Sequence, residues 1–139
     1  MVGQGIANRY VLGERLGSGG MGDVYRGFDQ QAQRTVAIKV LKPEVSTPEM
    51  VTRFLQEGEA LRQLNHPNIV KLLDAVNEGE RHYLIMELVE GGTLDDLLKA
   101  MPQMDILQVL NIALDLADAL TRTHRLNIVH RDIKPGNVL

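Results

Sequence analysis

Gly17-Ser18-Gly19-Gly20-Met21-Gly22-Asp23-Val24-Tyr25-Arg26-Gly27-Phe28 joins a glycine cluster to a strand-like alternation. Its first half fits the pattern GxGxxG, in which missing side chains let backbone N–H groups come close to phosphate oxygens. That pattern alone also fits a plain hairpin turn or a dinucleotide-binding turn, and the latter requires a helix directly after the glycines. Here Asp23 to Phe28 alternates like a strand, and a second strand-like run, Val36-Ala37-Ile38-Lys39, follows within ten residues. The glycines therefore join two antiparallel strands, which disfavours the dinucleotide reading.

Around this stretch, Tyr10 to Val40 reads as three antiparallel strands broken at Gly17 to Gly22 and Asp29 to Arg34. Val36, Ile38 and Val40 share one face, and Ala37, Lys39 and Leu41 the other, because successive side chains point to opposite sides of a strand. After Pro43 and Pro48, the residues Phe54, Gly58, Leu61 and Leu64 recur at helical spacing, and His66-Pro67 ends that helix. Two more strands follow, Ile69 to Ala75 and His82 to Leu88, joined by a polar turn around Asn77 to Glu80. The expectation is five strands and one helix.

Glu90-Gly91-Gly92 breaks the strand pattern, and the rest reads as helical. Thr93 caps a short helix through Lys99. Asp105, with Gln108 three residues on, resembles a capping box opening a long helix through Val109, Leu110, Ala113, Leu116, Ala117 and Leu120. This helix is apolar on more than one face, so the 19 residues after Leu120 give it too little cover and apolar surface is expected to stay exposed.

Three groups of polar residues invite chemistry. Lys39 sits mid-strand in an apolar run, where a cation is costly unless it is paired or faces a polar ligand; an exposed edge lysine is the simpler alternative. Glu57 lies three residues after Phe54 and four before Leu61, on the inward stripe of the helix, while Glu59 points elsewhere. An inward Glu over a sheet bearing an inward Lys suggests an ion pair that aims the lysine at a phosphate; the alternative is a solvated helix charge. The third group closes the chain: Asp132, Lys134 and Asn137 fall within six positions of Ile128 to Leu139. An Asp can accept a hydroxyl proton, a Lys can balance phosphoryl charge and an Asn can ligate magnesium, although a solvated charged loop has the same composition.

Composition restricts the classes. The net charge of -3 with 24% charged residues shows no basic excess that would favour nucleic acid, and the absence of cysteine excludes a disulfide framework or thiolate metal site. No run of about 20 apolar residues predicts a membrane segment, and no signal peptide is legible near the start, so a cytoplasmic protein is expected.

With GxGxxGxV at Gly17 to Val24, VAIK at Val36 to Lys39, the helix Glu57 and HRDxKPxN at His130 to Asn137, the sequence resembles eukaryotic-like Ser/Thr protein kinases over essentially its whole length. Gly19 to Gly22 with Val24-Tyr25-Arg26 is most similar to the bacterial branch, and Lys134-Pro135 after Asp132 is similar to the Ser/Thr type. The resemblance implies an α+β protein-kinase-like fold with a five-stranded antiparallel N-lobe sheet, the family's αC helix and the first helices of a C-lobe. Residues 10–89 would form the N-lobe and hinge, and 90–139 the start of the C-lobe through the catalytic loop. It implies ATP and magnesium as ligands and a protein Ser/Thr acceptor as substrate.

By the same resemblance the loop Gly17, Ser18, Gly19, Gly20, Met21 and Gly22 would cover the ATP phosphates, Lys39 would contact the α and β phosphates, and Glu57 would hold Lys39. Val24 and Ala37 would sandwich adenine, with Leu139 beneath it. Met86 would be the gatekeeper, and the backbone of Glu87 and Val89 would bond the adenine edge. Asp132 would be the catalytic base, Lys134 would steady the γ-phosphate and Asn137 would bind magnesium. Two positions depart from common family usage: Gly58, which costs a helix interior about 1 kcal/mol relative to Ala, and Asn127, which suits a left-handed backbone nearly as well as Gly. The family's Asp-Phe-Gly and activation segments are expected after Leu139, so these 139 residues alone are expected to be inactive. A nucleotide-binding or partner-docking module without catalysis is the alternative.

Overall fold

The computed structural model describes residues 2–101, 103–128 and 133–139, with Val45 described by its backbone alone. The chain forms two compact units, one comprising the chain up to Gln63 together with Val70–Leu88, the other Leu64–Ile69 together with Val89–Leu139.

The first unit is built on an antiparallel sheet of six strands, not the five expected. They are β1 (Gly5–Ile6), β2 (Tyr10–Ser18), β3 (Gly22–Asp29), β4 (Arg34–Leu41), β5 (Leu72–Glu78) and β6 (Arg81–Glu87), in the order β1-β2-β3-β4-β6-β5. The extra strand, β1, is too short to show an alternation. It is defined by pairing, with Gly5 opposite Val11 and Ile6 opposite Tyr10. The turn between them places Ala7 and Asn8 at φ +52° and lets Arg9 N–H donate to Ile6 O at 3.0 Å. This left-handed pair matches the twist of a tight hairpin, and Asn tolerates it better than Ala. β5 starts at Leu72 rather than Ile69 and runs on through Glu78, because Asn77 and Glu78 pair with His82 and Arg81.

The two sheet faces carry different cores, as the alternation predicts. Val36, Ile38 and Val40 join Ile6, Tyr10, Leu12, Tyr83 and Ile85 on one face. On the other, Leu41 and Leu84 pack with Phe54 of α1 (Pro48–Gln63). Thr47 Oγ1 accepts from Met50 N–H at 3.3 Å, capping α1. Gly58 has a packing reason: a Cβ there would stand 2.8 Å from Leu84 Cδ2, so glycine lets the helix backbone settle close to β6.

This unit also carries buried polar contacts that periodicity does not reveal. Asp29 is 1% exposed. It accepts from Arg9 Nε at 2.9 Å and Nη2 at 2.8 Å, and from the N–H groups of Gln31 and Ala32 at 3.0 and 3.1 Å. Tyr10 donates its hydroxyl to Asp74 at 2.7 Å; burial and that carboxylate push the Tyr10 phenol up to about 12. The Arg9 bonds, then those from Ala32 and Gln31, hold the Asp29 carboxyl well below the usual carboxylate range. A depressed folded value contributes stability that is present above the unfolded value of about 4 and is lost as pH falls toward the folded one. Asp29→Asn is therefore expected to melt below wild type near neutral pH, with the gap narrowing below about pH 4. Thermal melts at both pH values check this; a gap independent of pH would show that the charge is not its source.

In the second unit, α2 (Leu94–Ala100) opens on a capping box: Asp96 N–H donates to Thr93 Oγ1 at 3.2 Å, and Thr93 N–H to Asp96 Oδ2 at 2.9 Å. The long helix α3 (Ile106–Arg125) starts after Asp105, but the side chain of Asp105 makes no capping bond, so the box expected with Gln108 is not formed. His66 meets Asp118 of α3 at 3.1 Å through Nε2, while its Nδ1 accepts from Asn68 N–H at 3.0 Å. Asn68 Nδ2 donates to Asp115 O at 3.2 Å, completing the attachment of Leu64–Ile69 to α3. Ile106, Leu107, Val109, Leu110 and Leu114 leave an exposed apolar face on the helix, in keeping with its multi-sided pattern. Asn127 takes φ +58°, the left-handed conformation read from its identity. Among the described residues no helix is long and apolar enough to cross a membrane.

Candidate functional site

The glycine-rich loop is the turn between β2 and β3. Gly19 N–H donates to Gly22 O at 2.9 Å, folding the loop back on itself. Gly22 is required where it stands: a Cβ would lie 2.5 Å from Val40 O of the neighbouring strand. Any side chain there would force β3 and β4 apart.

Register places the rest of the first unit's candidates on one sheet face. Val24 is opposite Lys39, and Lys39 opposite Leu84; Ala37 is opposite Met86. Directly opposed residues point to the same side, so Val24, Ala37, Lys39 and Met86 share the face over which α1 lies. Lys39 Nζ donates to Glu57 Oε1 at 2.8 Å and to Oε2 at 3.0 Å. The ion pair read from the strand register and the helix stripe is thus formed, flanked by buried Phe54 and Gly58 on α1. A cation gripped by both carboxylate oxygens has its direction fixed, although water reaches both partners and screens the attraction. Glu87 ends β6 with its N–H donated to Lys71 O at 3.0 Å and its side chain accepting from Lys71 N–H at 2.9 Å.

In the second unit, Val89 precedes the Gly91-Gly92 break, and Lys134 leads into a 3-10 turn, Pro135–Asn137. Asn137 N–H donates to Lys134 O at 2.9 Å, and Leu94 N–H donates to Val138 O at 2.7 Å, which ties the end of the turn to the start of α2. Lys134, Asn137 and Leu139 are exposed. Asp132 lies outside the described residues. No group of three His, Cys, Asp or Glu side chains that could hold a metal occurs among the described residues. Asn137 offers one hard amide oxygen, which suits a magnesium ion that takes most of its ligands from phosphates and water.

Two charged residues near the loop escaped the sequence reading. Asp23 is the second residue of β3, opposite Val40, and Lys42 follows β4, with its Nζ 3.6 Å from Asp23 Oδ1. Extending that ladder by one residue sets Lys42 opposite Met21, on the same face as Val40 and so diagonal to Asp23, the partner of Val40.

Comparison with known proteins places the chain in a family. The family model of the protein kinase domain matches residues 10–139. The chain is 39% identical over 140 residues to the probable serine/threonine-protein kinase of Clostridium perfringens, covering 100% of this chain and 20% of that protein. It is 38% identical over 140 residues to the serine/threonine-protein kinase PrkC of Bacillus subtilis, covering 100% and 22%. To the serine/threonine-protein kinase PknA of Mycobacterium tuberculosis it is 39% identical over 144 residues, covering 99% and 33%. The chain thus spans about a fifth to a third of the length of these relatives.

Proposed function

The chain belongs to the protein kinase domain family, and on that premise we propose that it is the ATP-binding and catalytic-loop portion of a Ser/Thr protein kinase, which in its longer form transfers the γ-phosphate of ATP to a protein Ser or Thr. The observation that carries this reading is the two-pronged Lys39–Glu57 bond. An ammonium held by both oxygens of one carboxylate keeps a further N–H for a phosphate oxygen and cannot swing away from it.

Phosphoryl transfer asks a protein mainly for positioning and charge stabilisation. Lys39 takes the α and β phosphates, and the loop from Gly17 to Gly22 covers them with backbone N–H groups. Val24 and Ala37, on the same sheet face, flank adenine, Met86 guards the space behind it, and Glu87 bonds its edge through the backbone. The acceptor hydroxyl oxygen forms the new bond to γ-phosphorus as the bond to the β-phosphate oxygen breaks; Asp132 receives the hydroxyl proton and Lys134 balances the charge of the moving group. Asn137 would hold magnesium, which when bound neutralises phosphate charge.

Magnesium-dependent ATP binding by the chain, measured by calorimetry beside a radiolabelled transfer assay, tests the proposal. Saturable binding without useful transfer is the expected result for these residues alone. Absence of binding would overturn the nucleotide reading, and robust transfer would overturn the expectation that these residues are inactive without the Asp-Phe-Gly and activation segments.

A further inference from the structure

Lys42, one residue past the end of β4, stands apart from the Lys39–Glu57 pair. Its backbone N–H donates to Met21 O at 3.3 Å, and its Nζ donates to the carbonyl oxygen of Gly19 at 2.8 Å. The same Nζ stands 3.6 Å from Asp23 Oδ1. Met21, at the tip, packs against the Leu41, Phe54 and Leu84 cluster. The loop tip is therefore fastened by one apolar contact and two bonds from a single residue.

The bond to Gly19 O has a directional consequence. In a trans peptide the C=O of one residue and the N–H of the next point to opposite sides, so fixing Gly19 O toward Lys42 turns Gly20 N–H away from it. Nothing lies within 4 Å of the place a Cβ would take on Gly20, and glycine on both sides of this peptide lets it flip at little steric cost. Gly20 N–H has no acceptor among the described residues. Lys42 thus decides which way an uncommitted donor faces.

Asp23 supplies the counter-charge. Its Oδ1 is buried without a hydrogen bond, a state that buried polar atoms rarely adopt. A hydrogen bond from the Ser18 hydroxyl and the nearby Lys42 and Arg15 charges hold its carboxyl below the usual range, so it stays an anion at neutral pH. The anion keeps the ammonium at the base of the loop while Gly19 O takes the hydrogen bond.

We propose that Lys42 is a positioning residue for nucleotide binding, pinning the Gly19–Gly20 peptide so that Gly20 N–H is presented to a phosphate oxygen; this rests on the reading of the first unit as the ATP-phosphate cradle. Lys42 touches no phosphate itself and acts through the loop backbone.

Lys42→Met keeps the apolar stem and removes the ammonium, and Lys42→Arg keeps a cation. Amide hydrogen exchange on the whole chain without nucleotide, magnesium ATP titration and thermal melts are measured for both. The expected result for Lys42→Met is faster exchange at Gly19 to Gly22 by about fivefold, affinity for magnesium ATP weakened by about tenfold, and a melt lowered because Asp23 loses its counter-charge, with Lys42→Arg recovering most of all three losses. Wild-type exchange and affinity in Lys42→Met would overturn the proposal, as would equal losses in both variants accompanied by a lower melt. If wild type binds no ATP, the proposed function fails, and exchange alone decides the pinning: unchanged exchange in Lys42→Met sinks it and faster exchange sustains it.

Discussion

Lys39→Met is expected to weaken the affinity of the chain for magnesium ATP by about a hundredfold, since hydrogen bonds to charged groups contribute about 1.5–3 kcal/mol each. The loss has two parts. The ammonium that would meet the phosphates is gone, and Glu57 is left as an unpartnered carboxylate on the same sheet face, where it repels the phosphates that Lys39 attracted. Water reaches both members of the pair, so the fold is expected to tolerate the change better than binding does. Calorimetric titration of the variant beside wild type reads the effect. A change below about threefold would place the ammonium away from the phosphates and remove the main support for the proposed function.

Phe54→Ala is expected to cost about 3–5 kcal/mol of stability, a large share of the 5–15 kcal/mol available to a typical domain. Phe54 is 0% exposed and joins α1 to Leu41 and Leu84. Removing its ring leaves a cavity between helix and sheet that the neighbouring backbone, already close at Gly58, cannot fill. Glu57 is the next residue but two along the same helix, so a loosened α1 also releases the clamp on Lys39. Urea unfolding measures the first effect and ATP titration the second. A loss under about 1 kcal/mol would mean that α1 is held by something other than this core.

How much was legible in the sequence depends on the length of the feature. Val36 to Leu41 alternates over enough residues to assign each side chain to a face, and the structure divides them between two cores in that way. Glu57 could be paired with Lys39 because strand period and helix period each constrain one partner independently. Asn127 declared its left-handed backbone through its identity. Features fixed by distant partners stayed hidden. β1 has two residues and no pattern of its own. Asp29 reads as a loop charge until Arg9 folds over it, and Asp105 has the identity of a cap without the bond. Gly58 read as a local weakness of the helix, because the Leu84 side chain that demands it comes 26 residues later.

The family match begins at Tyr10, yet Ile6 is wholly buried in the core beneath the sheet. Family boundary and folding boundary are therefore different residues. A recombinant domain trimmed to the alignment would lose the Ile6 side chain from its interior and also uncover the outer ladder of β2, since β1 pairs there through Gly5 and Ile6. An uncovered strand edge is a template for another chain. The few residues ahead of the recognisable motif thus act as a stopper on intermolecular sheet growth, and they bear on solubility although they lie outside every motif that identifies the family.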